Sequence, residues 1–381
     1  MKHMKAFAAL ALSMTMALSV SALAADKQVV KVGVSVPMTS SSEAESAENM
    51  VGGINAALEY AKDQGMVQNY ELEMIIEDDG ADPTKGMNTA NKLVYNDGVK
   101  AMIGPVQSTI AAVTLPMLEE EGIPSIMAVA SPALSENGYT YFFRANFTNA
   151  GACSEFMKYF VENLGYKNIG LLTAQNETCE VAMDCSLTYL KDNYDMEPAD
   201  IQYFADTDTD FSAQLMSFKE KEVEGVAIFS GIVQGAQIVE QIRQLMGPDV
   251  FALGLSNGQT SYLELISAES ANKSGYATGY DPCLEGEFYD TFREYYSHYV
   301  DRIAVDVSAR GFDATMILIT ALDSMGEFDV EADDFGETLR DAIRNVEYTG
   351  AQGEFHYDEK GDGLASCNII EYVDGERVKA N

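Results

Sequence analysis

From Val29 onward the chain alternates short β-branched or apolar runs with longer stretches of helical period, and this alternation leaves few folds open. "VVKVGVSV" is followed by "SAENMVGGINAALEYAKDQG", "YELEMIIED" by "DPTKGMNTANKLVYNDG", "KAMIG" by "STIAAVTLPMLEEEG", and "IPSIMAV" closes the series. Strands separated by helices of this length must run parallel, with the helices on the faces of the sheet. The series then restarts: "NIGLLTA", "EVAMDCSLTYLKDNYD", "DIQYF", "DFSAQLMSFKEKE", "EGVAIFSG", "GAQIVEQIRQLMG" and "VFALGL". Two such series in one chain predict an α/β protein with two similar lobes, each a parallel sheet flanked by helices. Two aromatic-rich stretches, "YTYFFRANFTNAGA" and "SGYATGYDPCLEGE", are expected to cross between them. Further helices follow, and "GEFHYDEKGDGLASCNIIEYVDGERV" reads as short strands around Lys-Gly-Asp and Asp-Gly turns. This returning segment predicts two or three shared crossings, which is a hinge. The expected boundaries are 25–146 plus 278–360 for lobe 1 and 147–277 plus 361–381 for lobe 2.

Residues 1–24 read as a leader: Lys2 and Lys5 precede an apolar run that ends in Ala22-Leu23-Ala24, the pattern of a cleavable secretory signal. The run is interrupted by Ser13, Thr15, Ser19 and Ser21 and is too short for a membrane span. The expected location is therefore outside the cytoplasm, in the periplasm, as a protein without a lipid anchor. The formal net charge of −36 becomes more negative once Lys2 and Lys5 leave with the leader. Such a field argues against nucleic acid and anionic membrane surfaces as partners, since both demand cationic patches. Five cysteines are too few and too scattered for a disulfide scaffold, although Cys179 and Cys185 could be bridged if one lay on a loop. No interface motif stands out, so a monomer is expected.

An α/β sheet invites nucleotide motifs, and none is present. "VSVPMTSSSEAE" stands after the first strand where a G-x-G-x-x-G would lie, and no G-x-x-x-x-G-K-[ST] occurs anywhere. Asp206-Thr207-Asp208-Thr209-Asp210 imitates the start of a calcium loop, but its sixth position is Phe211 and its twelfth Ser217. Asp210 reads instead as the N-cap of "FSAQLMSF". No C-x2-C pair exists, so neither metal nor cofactor is expected. No G-x-S-x-G elbow appears, and beyond the leader the histidines are only His298 and His356, so the chain is not expected to be an enzyme.

What remains is "MIGPVQSTIAAVTLPMLEEEGIPSIMAVASP". In open α/β sheets ligands bind beyond the carboxyl ends of the strands, where a helix N-terminus presents unpaired N–H groups and partial positive charge. Gln107, Ser108 and Thr109 open the helix after the third strand, and Ala130-Ser131 follow the fourth. A carboxylate could be held there by hydroxyl and backbone N–H groups without Arg or Lys. Plain N-capping by Ser or Thr explains the same residues equally well.

Taken in order, "KVGVSVPMTS", "GGINAALEYAKDQG", "EDDGADPTKGMNTANKLVYNDGVKAMIGPVQST", "EEGIPSIMAVASPALSENGYTYFFR", "TDFSAQL" and "HYDEKGD" resemble the substrate-binding proteins of branched-chain amino acid ABC transporters, the Leu/Ile/Val-binding type of periplasmic binding protein. The resemblance implies a type I architecture: two Rossmann-like lobes, a three-stranded hinge, a small-molecule solute closed between the lobes, and a membrane permease with its ATPase as partners. It implies that Ser108 holds a solute carboxylate, helped by the backbone of Val129 and Ala130 beside Ser131. Where the family carries a Thr two residues before the Pro of "SP", this chain has Ala130. On the second lobe Thr178 and Asn257 are the corresponding candidates. The acid expected after "VFALG" to meet a ligand ammonium is missing from "LSNGQTSYL", so either another acid reaches in or the solute has no α-amino group. The same fold could serve a periplasmic sensor feeding a signalling receptor.

Overall fold

The structure, a computed structural model, describes residues 27–259, 261–363 and 367–380. The leader lies outside them. Among the described residues no helix is long and apolar enough to cross a membrane.

The first lobe follows the expected alternation: β1 (Gln28–Val36), α1 (Ala44–Asp63), β2 (Tyr70–Asp78), α2 (Pro83–Asn91), β3 (Ala101–Ile103), α3 (Ser108–Glu120), β4 (Ser125–Met127) and β5 (Phe142–Arg144). Its five strands lie in the order β2-β1-β3-β4-β5, all parallel. The second series gives α4 (Asn149–Lys158), β6 (Ile169–Ala174), α5 (Glu177–Tyr194), β7 (Asp200–Phe204), α6 (Ser212–Glu220), β8 (Gly225–Phe229), α7 (Ile232–Leu245) and β9 (Phe251–Gly254). After two one-turn helices, α8 (Tyr262–Leu265) and α9 (Ala268–Ala271), comes β10 (Ser274–Thr278). The chain then returns to the first lobe with α10 (Glu287–Ser297), α11 (Asp306–Met325), α12 (Phe335–Arg344) and the hairpin β11 (Tyr348–Gly350) and β12 (Gly353–Phe355). It ends in the second lobe with β13 (Asn368–Val373) and β14 (Glu376–Lys379). The second sheet has seven strands, β14-β13-β10-β9-β8-β6-β7, in which β13 alone runs against the others, pairing antiparallel with both β10 and β14. The β13–β14 turn is Asp374-Gly375, both at positive φ, as a two-residue hairpin turn requires.

The two aromatic-rich stretches differ from expectation in one respect. Phe142–Arg144 and Ser274–Thr278 are hydrogen-bonded members of the two sheets, and the crossings are the segments that follow them. Each sheet buries Val, Ile, Leu and Phe side chains on both faces, as parallel strands covered by helices must. The return of α11 onto α1 is made possible by Gly53, where a Cβ would fall 2.0 Å from the Ser308 carbonyl oxygen.

The crossings are tied by a buried polar knot. Asp313 of α11 accepts from the N–H groups of Ala351 and Gln352 at 2.8 and 2.9 Å, from the Gln352 side chain at 3.0 Å and from the Tyr348 hydroxyl at 3.1 Å. Gln352 Nε2 also donates to the Ala145 carbonyl at 2.8 Å, so one carboxylate joins α11 to two crossings. Burial pushes the Asp313 carboxyl up to about 6, against the pull of those four donors. Cys179 and Cys185 both lie on α5, neither on a loop, and both are free thiols.

Candidate functional site

On lobe 1 the carboxyl ends of β3 and β4 bring their candidate residues together. Gln107 occupies the N-cap position of α3 with extended backbone and makes no side-chain cap bond. Ser108 is already the first helical residue, and its Oγ accepts from the Ser131 N–H at 3.3 Å. The capping alternative for Ser108 therefore fails on geometry: the hydroxyl turns across to the neighbouring strand end, not back onto its own helix. Its proton is left to donate elsewhere, beside the first N–H groups of α3, which no side chain caps.

The Val129–Ser131 loop is held from behind. Arg144, at the end of β5 and fully buried, donates from Nη1 to the Val129 carbonyl and from Nη2 to the Ser131 carbonyl at 2.9 Å. Its Nε donates to Asp362 at 2.7 Å, and the guanidinium lies over the Phe142 ring. Burial draws the Arg144 guanidinium below its ordinary value, opposed by the Asp362 carboxylate. The Val129 carbonyl thus faces the lobe interior. Asp362 belongs to the "DEKGDG" turn, which closes as expected through a Tyr357–Gly363 bridge. Gly361 of that turn has φ +79°, and a Cβ there would meet the Phe142 carbonyl oxygen at 2.0 Å. Glycine is what lets the turn lie against β5.

Lobe 2 places its candidates differently. Thr178 is exposed on the first turn of α5, whose N-cap is Asn176: the Asn176 Oδ1 accepts from the Cys179 N–H at 3.0 Å and its Nδ2 donates to Asp206 at 2.9 Å. Asn257 is fully buried, tucked between Gly254 and Gly235 of α7, with its carbonyl accepting from the Tyr372 hydroxyl at 2.7 Å. It lies inside lobe 2, apart from the lobe 1 cluster. The acidic run after β7 is consumed locally. Asp208 accepts from the Ala205 N–H at 2.9 Å, and Asp210 accepts from the Ser212 N–H at 2.9 Å. The cap position of α6 is Phe211, one residue later than expected, so Asp210 satisfies the first helical N–H from outside the cap.

Between the lobes lies a cavity of ≈ 260 Å³. Lobe 1 lines it with Ala130, Asn146 and Phe147, and lobe 2 with Leu255, Gln259 and Tyr276. Asp306 and Arg310, one turn apart at the start of α11 and ion-paired with each other, complete the wall. The Tyr276 hydroxyl donates to Asp281 at 2.5 Å; burial, reinforced by that carboxylate, raises the phenol well above its ordinary range. Sequence reasoning missed Asn146, Asp306 and Arg310. Asn146 follows β5 and so obeys the strand-end rule that found Ser108, while the Asp-x-x-x-Arg spacing at 306 and 310 was the faint signal for the other two.

Two α/β lobes joined by three crossings, with an uncapped helix N-terminus on one rim and a small cavity between them, define a two-lobed solute-binding protein. A family model described as periplasmic binding protein matches residues 29–376. The chain belongs to that family. It is 29% identical over 280 residues to the Leu/Ile/Val-binding protein of Citrobacter freundii, covering 70% of this chain and 72% of the relative. The substrate binding protein LivJ of a branched-chain amino acid transporter from Streptococcus pneumoniae, in complex with isoleucine, superposes with a TM-score of 0.71 at 19% identity over 93% of this chain and all of that one. An ABC-transporter solute binding protein from Rhodopseudomonas palustris, in complex with 3,4-dihydroxy benzoic acid, gives a TM-score of 0.69 at 21% identity, over 92% and 96% of the two chains. These findings bear out the resemblance and the fold class drawn from the motifs.

Proposed function

We propose that this chain is the extracytoplasmic receptor of an ABC importer, closing its lobes on a small carboxylate-bearing, amino-acid-like solute and handing it to the permease. Recognition is by hinge closure without covalent chemistry, so solute and closed state stabilise each other. One observation carries the reading: the Ser108 hydroxyl is turned away from its own helix and held by the Ser131 N–H, with its proton and the first N–H groups of α3 available to an anion. A carboxylate is also what the solutes of the two structural neighbours, isoleucine and 3,4-dihydroxybenzoic acid, have in common. The cavity suits a molecule of amino-acid size, below the usual range for larger ligands.

The test starts with mass spectrometry of whatever co-purifies with the protein from its native host, followed by calorimetry on Ser108→Ala. Loss of a charge-assisted hydrogen bond of roughly 1.5 to 3 kcal/mol weakens solute binding by about 10 to 150-fold. Thr109→Ala is the control for which hydroxyl meets the solute. Unchanged affinity in both variants would remove the rim from the binding site.

A further inference from the structure

Two buried polar atoms of residues that line the inter-lobe cavity have no hydrogen-bond partner among the described residues: Arg310 Nε and Asn146 Oδ1. Burying such groups unpaired is costly, and native structures satisfy nearly all of them. Asn146 is only 1% exposed, and its amide orientation is fixed because Nδ2 donates to the Phe147 carbonyl at 2.7 Å. That leaves Oδ1 as an acceptor in search of a donor. Arg310 is held by Asp306, itself near the Thr278 hydroxyl at 3.4 Å, and its Nε is a donor in search of an acceptor.

From these atoms we infer that the cavity reads a terminal carboxamide on the solute, its carbonyl oxygen accepting from Arg310 Nε and its NH2 donating to Asn146 Oδ1. The inference rests on the carboxylate-binding reading for the other end of the molecule, at Ser108. The two subsites are neighbours: Ala130, which lines the cavity, precedes Ser131, whose N–H meets Ser108. A carboxylate in place of the carboxamide would set an oxygen against Asn146 Oδ1 and a second negative charge near Asp306. An aliphatic end would leave both atoms unpaired, a mismatch that buried polar sites reject strongly. Because Asp306 already neutralises Arg310, the cavity favours a neutral polar group over an anion.

The experiment compares exact pairs by thermal shift and calorimetry: L-glutamine with L-glutamate, L-asparagine with L-aspartate, and the deaminated glutaramate and succinamate with glutarate and succinate. L-leucine is included as the aliphatic arm. At least one carboxamide should bind about tenfold or more tighter than its carboxylate isostere and than leucine. Arg310→Lys, which keeps the charge on Asp306 but removes the planar Nε–H, should erase that ratio. Asp306→Asn, which leaves Arg310 unneutralised, should turn the preference toward the carboxylate partner of the pair. Preference for leucine or for a carboxylate isostere by the unaltered protein, or no stabilisation by any carboxamide, overturns the inference. The underlying reading fails separately: acetamide or propionamide, which lack a carboxylate, binding as well as the full solutes would sink the Ser108 subsite while sparing the carboxamide one.

Discussion

The two rims that face each other across the cleft are built from the same topology and use it in opposite ways. On lobe 1 the helix after β3 starts without a side-chain cap, its first serine turned to a neighbouring strand end, and a buried arginine braces the loop that receives it. On lobe 2 the helix after β6 is sealed by its own Asn176, and the acids beyond β7 satisfy nearby N–H groups. A helix N-terminus holds an anion only while its N–H groups remain unclaimed. The comparison teaches that homologous strand ends are not equivalent sites: what the loop residues do with their own side chains decides which rim is open to a ligand.

The largest blow to this contrast falls on the brace. Asp362→Ala leaves the Arg144 guanidinium buried without its counter-charge, and removing one partner of a buried pair costs about 3 to 5 kcal/mol. Denaturant unfolding should show that loss together with weaker solute binding. A comparison change on lobe 2, Asp200→Ala at the start of β7, breaks a pair whose lysine is half exposed, and should cost far less. Equal losses for both variants would show that the buried brace behind the lobe 1 rim holds no more strongly than a half-exposed pair elsewhere.

Next in size is a pH dependence that also separates the lobes. Asp313, which knots α11 to the crossings, has its carboxyl pushed up to about 6 by burial. A raised carboxyl binds its proton more tightly in the folded state, so its contribution is fully present below the unfolded value of about 3.9 and is lost as pH rises through 6, up to about 3 kcal/mol. Asp200 behaves oppositely: burial works against it, but Lys221, Ser217 and Gln202 outweigh that and hold it below the ordinary value. Its contribution is present above the unfolded value and is lost as pH falls through the folded one. Unfolding free energies measured from pH 3.5 to 6.5 should lose their downward slope on Asp313→Asn and keep it on Asp200→Asn. A slope unchanged by Asp313→Asn breaks the assignment.

The smallest effect sharpens the comparison most directly. Asn176→Ala removes the α5 cap and should lower stability by about 1 kcal/mol while leaving solute affinity within about twofold. Ser108→Ala should do the reverse. If both variants moved the same quantity, the two rims would share one role.

Most of the fold was legible because alternating strand and helix lengths leave a parallel sheet as the only way to bury both faces, and that signal is local. The meeting of Ser108 and Ser131 was legible for the same reason: a rule about strand ends needs only the positions of strands. Asn257 marks the limit of that rule. It sits just past the end of β9 as expected, yet the turn after Gly254 folds its amide into lobe 2, and side-chain direction is not written in strand position. Arg310 was hidden for another reason. Its place beside Asn146 exists only because α11 returns to lobe 1, a long-range pairing that no window of sequence contains.

The brace behind the Val129–Ser131 loop also bears on the order in which the molecule can mature. Arg144 and Asp362 are 218 residues apart, with α4 to β10 of the second lobe and the helices of the return segment between them. Domains tend to fold as their chain emerges, N-terminal parts first, but long-range closure is slow. Lobe 1 therefore cannot finish burying its arginine until the last turn of its own return segment has been made. A fragment that stops short of residue 362 would carry a cation at its centre without its ion-pair partner, and the loop at Val129–Ser131, though encoded early, is among the last parts of the protein to be fixed in place.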